Sequence, residues 1–119
     1  MQDRLNSLLE KHCETIKNSV TTVGRLLTEV AEGGTSDPVA SVQAAEALAH
    51  QLKGSSGTAG FHELSSAATA LDDHLKPLCN TNSSGVLAGI DQAMALYRPL
   101  EGIARETTPT KSALYFALS

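Results

Sequence analysis

"AHQLKGSSGTAGF", residues 49–61, sets one histidine and one lysine ahead of three glycines in a stretch whose flanks read as helix. Each glycine inside a helix costs roughly 1 kcal/mol relative to alanine, so Gly54 and Gly57 need a compensating reason. Either a ligand or partner comes close to this face, or a neighbouring helix does. Gly60, just before Phe61, reads as a corner, which divides two helices and sets the register between them.

Upstream, Leu5, Leu9, Ile16, Val20, Val23, Leu27 and Val30 recur every three or four positions, which predicts an amphipathic helix from Gln2 to about Glu32, stopped by Gly33 and Gly34. Asp37 is placed as an N-cap and Pro38 at the first position of a second helix running to about Ala59. Beyond the corner, Leu64, Ala68, Leu71 and Leu75 carry the stripe of a third helix that Pro77 is expected to end. After the loop "NTNSSG", Val86, Ile90, Ala93, Tyr97, Leu100 and Ile103 mark a fourth, to about Glu106, with a kink expected at Pro99. Four stripes with short connections predict an all-α, antiparallel up-down four-helix bundle over residues 1–106. The tail, residues 107–119, carries Leu114, Tyr115, Phe116 and Leu118, and its sequence leaves docking, packing on a second copy and fraying all open.

Composition agrees with one helical domain. The chain has 119 residues, 41% of them hydrophobic, with two Phe, two Tyr and no Trp. Small aliphatic side chains suit closely packed helices. A formal charge of −4, with nine scattered Lys and Arg, argues against nucleic acid as a partner, since phosphate binding needs a clustered basic stripe. No apolar run approaches the roughly 18 residues of a membrane span, and "MQDRLNSLLEK" lacks the apolar stretch of a secretory signal. The expected setting is cytoplasmic, with Cys13 and Cys79 reduced and without chemistry.

Three readings of the opening stretch compete. "GSSGTAG" lacks the terminal Lys followed by Ser or Thr, and no strand precedes it, so it is not a phosphate-binding loop. A plainer reading makes His50 an ordinary exposed helix residue and the glycines packing sites between helices. The third follows from register: if the second and third helices form an antiparallel hairpin about Phe61, residues equidistant from it lie side by side. His50 then faces Asp72, Lys53 stands level with Thr69, and Gly57 with Ser65. Along its own helix His50 neighbours Glu46, Ala47, Lys53 and Gly54. A carboxylate accepting from Nδ1 fixes the tautomer that leaves Nε2 as a nucleophile, and Lys53, one turn on, can neutralise an incoming phosphoryl group. The constellation is a phosphoryl acceptor on an uncluttered surface.

"His50-Gln-Leu-Lys53-Gly54-Ser-Ser-Gly-Thr-Ala-Gly60-Phe61", with Leu71 and Asp72 after it, resembles the signature of histidine-containing phosphotransfer (HPt) domains, and the resemblance extends to about Glu106. It implies a four-helix bundle that shuttles a phosphoryl group between aspartates of receiver domains, in response regulators or a hybrid histidine kinase. His50 would be the phosphoryl acceptor, Lys53 would assist the phosphate, Asp72 would orient Nδ1, and Ala47, Gln51, Gly54 and Gly57 would form the docking face. Asp72 stands where members of the family commonly carry the longer Glu or Gln, which leaves open a direct bond and one through water. The chain would be a phosphohistidine carrier and not an enzyme, with no cofactor and no metal of its own. Mg²⁺ is expected on the receiver, which supplies the aspartate. The alternative is a helical adaptor or dimerisation module that is never phosphorylated. His12 and His62 read as structural or solvated, "FHEL" is not a zinc helix, and His74, two residues past Asp72, is the one placed to lie near the site.

Overall fold

A computed structural model describes residues 2–117 of the chain, with side-chain surroundings for residues 3–115. Four long helices follow one another: α1 (Gln2–Ala31), α2 (Pro38–Thr58), α3 (His62–Leu78) and α4 (Ser83–Arg105). Each packs antiparallel on its neighbours. Residues 50 and 72 meet across α2 and α3, 74 and 89 across α3 and α4, and 20 and 97 across α1 and α4. The bundle measures 51 × 21 × 18 Å, and α1, with 30 residues at 1.5 Å each, runs most of that length.

The helix ends have local causes. Gly33, at φ +72°, closes α1 in a Schellman turn: Gly34 N–H donates to Glu29 O at 2.8 Å and Gly33 N–H to Val30 O at 3.2 Å. Asp37 caps α2 by accepting from Ala40 N–H at 3.1 Å, with Pro38 first in the helix. Asn82 does the same for α4 through Gly85 N–H at 2.9 Å. Pro77 does not end α3 where expected; it sits in the last turn, and Leu78 follows it. A proline withholds only its own N–H and tolerates one more helical residue behind it. Pro99 lies within α4, which continues undivided to Arg105.

Every apolar stripe faces inward. Leu9, Ile16, Val20, Val23, Leu27 and Val30 of α1 meet Leu64, Ala68, Leu71 and Leu75 of α3 and Val86, Ile90, Ala93, Tyr97 and Leu100 of α4 in one core, with Leu5 and Ile103 half-buried at its edge. From α2 come mostly small groups: Val42, Ala45, Ala49, Leu52 and Ser56. Tyr97 anchors the core by donating its hydroxyl to Val20 O at 3.0 Å. Burial first, and the charge of Glu101 second, push its pKa up to about 12, so it stays a donor. A Cβ at Gly24 would overlap that hydroxyl, which explains a glycine in mid-helix. No helix among the described residues is long and apolar enough to cross a membrane.

Ser56 is the one awkward group on the α2 face: it is wholly buried and its hydroxyl has no hydrogen-bond partner among the described residues. An unsatisfied buried hydroxyl carries a desolvation penalty of about 1–3 kcal/mol. Ser56→Ala is therefore expected to raise stability by about 1 kcal/mol in a urea melt, with the helix content unchanged.

The segment after α4 is docked as far as it is described. A 3₁₀ turn (Pro109–Lys111) leads into α5 (Ala113–Ala117). Ala113 N–H donates to Gly60 O at 3.0 Å, and the Ser112 hydroxyl donates to Ala59 O. Tyr115 packs against the core edge. The tail thus grips the α2–α3 corner; the side chain of Phe116 and all of Leu118 lie outside the described residues.

Candidate functional site

The inward spacing of α2 decides which residues it shows to solvent. With Val42, Ala45, Ala49, Leu52 and Ser56 facing the core, His50 falls on the flank beside α3 with its side chain 61% exposed. Ala47, Gln51 and Gly54, three or four positions from one another, are exposed with it, and so lie on one strip of helix surface. Lys53 is half-buried on the same turn, and its ammonium forms no ion pair among the described residues.

Asp72 of α3 reaches this strip from below. His50 Nδ1 and Asp72 Oδ2 stand 3.2 Å apart, so the contact is direct and needs no bridging water. The shorter side chain suffices because alanines at 45, 49 and 68 are buried among these helices, and small residues at a contact let helices approach closely. Unlike His50, Asp72 has a side chain with no exposure at all. The register also holds nearer the corner, where Ser65 Oγ donates to Lys53 O at 2.8 Å and a Cβ on Gly57 would stand 3.3 Å from the same hydroxyl.

A second partner of Asp72 escaped the sequence reading. Lys76 Nζ lies 3.2 Å from Asp72 Oδ2, one turn along α3, an i, i+4 acid–base spacing that was there to be noticed. Burial by itself raises the Asp72 pKa, and hydrogen bonds with Glu46, His50 and Lys76 more than reverse this, leaving it below the ordinary carboxylate value. An ionised Asp72 can only accept, so Nδ1 of His50 carries the hydrogen and, in the neutral ring, Nε2 keeps its lone pair. Glu46, one turn before His50, behaves oppositely: its hydrogen bond to Asp72, then burial and the Asp72 charge, raise its pKa. While Glu46 is ionised, no donor among the described residues reaches the buried Asp72 Oδ1 atom.

The two glycines differ in surroundings. A Cβ on Gly54 would meet nothing within 4 Å, whereas one on Gly57 would press on Ser65 Oγ. Gly57 thus faces α3, and Gly54 is open to solvent beside His50. Gly54→Ala is expected to stabilise the bundle by about 1 kcal/mol. Gly57→Ala is expected to gain less than half of that, because Ser65 must yield its bond to Lys53 O or shift. Paired urea melts will rank them; an equal gain at both positions would contradict this packing.

The other histidines are accounted for elsewhere. His74 turns toward α4, with Nε2 2.9 Å from Gly89 O. His12 stacks on Phe61, ring centroids 5.7 Å apart, and burial lowers its pKa. His62 is exposed at the start of α3, on a groove of about 530 Å³ shared with Pro99, Ile103 and Lys111 that does not include His50. An imidazole on a convex helix face, held at one nitrogen and open at the other, is suited to exchange a small group with another macromolecule's site.

No curated protein and no solved structure gives a significant match to the chain. The family model described as "Hpt domain" matches residues 7–98, which takes in most of α1, all of α2 and α3 and most of α4, together with His50, Lys53 and Asp72. Domains of this family are helical bundles that act in phosphotransfer within two-component signalling, where they meet receiver domains and histidine kinases. On a match covering that much of its length, the chain belongs to the Hpt domain family.

Proposed function

We propose that this protein is a phosphorelay intermediate in which His50 carries the phosphoryl group between receiver-domain aspartates. The observation that carries the reading is the pairing of an exposed imidazole with a fully buried carboxylate on Nδ1. In the transfer, the Nε2 lone pair forms a bond to phosphorus as the bond from phosphorus to the aspartyl oxygen breaks, and the receiver recovers its carboxylate. Positive charge gathers on the ring as this happens. Asp72 opposes it from the other nitrogen, and so lowers the barrier in both directions. Lys53 meets the phosphoryl oxygens as a point charge, and the strip of Ala47, Gln51 and Gly54, with Gly57 behind it, receives the receiver's surface. The Mg²⁺ that holds the phosphate oxygens belongs to the receiver. The protein works in the cytoplasm in this reading, as a substrate and carrier.

Incubation with a phosphorylated receiver tests the reading. Label is expected to pass to the protein in an acid-labile, base-stable linkage and to leave again when an unphosphorylated receiver is added. A protein that binds receivers yet takes up no label from receivers or kinases would be an adaptor instead.

Asp72→Asn is expected to slow transfer about tenfold, the scale of one hydrogen bond of roughly 1.4 kcal/mol, in stopped-flow measurements. The same change has a pH signature. The folded Asp72 pKa lies below that of the unfolded chain, so its contribution to stability is complete above about pH 4 and is lost as pH falls through the folded value. The wild type is therefore expected to be more stable than Asp72→Asn at pH 7, with the gap closing below about pH 4. A gap independent of pH would mean that the carboxylate charge is not what holds the pair.

A further inference from the structure

We propose that Glu46, His50 and Asp72 form a binding site for a divalent transition-metal ion of the zinc class. One ligand atom from each lies within 4.8 Å of the others. The Asp72 side chain is wholly buried, and while Glu46 is ionised its Oδ1 has no hydrogen-bond partner among the described residues, whereas Oδ2 is engaged by His50 and Lys76. A buried carboxylate oxygen without a donor calls for an ordered water or an ion, and a histidine and a second carboxylate stand beside this one. The sequence alone assigns this chain no metal; the meeting of α2 and α3 brings a second carboxylate to the histidine.

The donor set selects the ion. One imidazole nitrogen and two carboxylate oxygens are three ligands of the types zinc takes, with water as the fourth. Magnesium prefers oxygen ligands alone and keeps its waters. Zinc bonds of 2.0–2.2 Å in a tetrahedron set the donors roughly 3.4 Å apart, so closing from 4.8 Å requires up to about 1.4 Å of movement. His50, 61% exposed, and half-buried Glu46 are free to make it, while Asp72 stays fixed. Lys76 works against the ion, since its ammonium stands 3.2 Å from Asp72 Oδ2.

Binding is independent of the phosphorelay reading; only its consequence, competition between the ion and the phosphoryl group for one imidazole, rests on that reading. The test is a titration of the full chain with Zn²⁺ against a chromophoric chelator, with Mg²⁺ in parallel and imidazole resonances followed by NMR. One zinc per chain is expected, with no response to Mg²⁺ and with the His50 resonances shifting. Glu46→Gln is expected to weaken binding at least about tenfold, and Lys76→Met to tighten it severalfold by removing the competing charge. Glu46 is half-buried and its amide variant keeps the shape, so circular dichroism suffices to show that this variant is folded. Zinc binding that is undetectable in the millimolar range, equal in Glu46→Gln, or centred on His12, His62 or His74 would overturn the proposal. A protein that fails to take up phosphoryl groups yet shows this zinc profile would refute the relay and leave the metal site standing.

Discussion

His50→Gln will take up no phosphoryl group from any receiver or kinase and will melt within about 1 kcal/mol of the wild type. The amide nitrogen of glutamine has no lone pair to offer phosphorus, so loss of acceptance is complete where an altered neighbour would only slow it. The stability forecast follows from exposure: a side chain 61% in solvent contributes little packing. The one group that loses a partner is the buried Asp72 Oδ2, and it keeps the Lys76 ammonium at 3.2 Å. Radiolabel transfer beside a urea melt measures both halves. Label retained on another histidine would remove His50 from its role, and a melt shifted by several kcal/mol would show that the imidazole is part of the fold.

Gly60→Ala will cost about 3 kcal/mol. The residue sits at φ +87°, a conformation that costs an alanine roughly 1–2 kcal/mol. A Cβ there would stand 2.8 Å from Ser112 Oγ and 2.9 Å from Ala113 N, the atoms that hold the tail to the corner. Breaking those two bonds adds about 1 kcal/mol each. The urea midpoint is expected to fall, and limited proteolysis to cut after Arg105 in the variant before the wild type is touched. A midpoint shifted by less than about 1 kcal/mol would mean that the corner relaxes without releasing the tail.

The helices were legible because a core of this kind is a periodic object: a side chain every three or four residues must be apolar, and those residues are the ones buried. The register at His50 was legible for a similar reason, since a tight corner at Gly60 leaves two helices only one way to lie antiparallel. Three features were not. The end of α3 ran past Pro77, because a missing N–H is a local cost that a helix end can bear. The register places Asp72 opposite His50, and only the packing of α2 on α3 shows that it is fully covered and shared with Lys76 and Glu46 as well. The tail carries no stripe, and its hold depends on the Ser112 hydroxyl and the backbone at residue 113, which no hydropathy pattern reports.

The split in exposure between His50 and Asp72 bears on how information could pass through such a molecule. A group added at Nε2 would stand on the solvent-exposed flank of α2. The carboxylate behind it is buried, with its Oδ2 already held by His50 and Lys76. On the proposed function, a protein built this way would store its state as a covalent bond and leave its conformation alone. Hydrogen exchange along α2 and α3 should then be the same with and without the phosphoryl group, and any discrimination between the two forms must be made by whichever partner reads the charge.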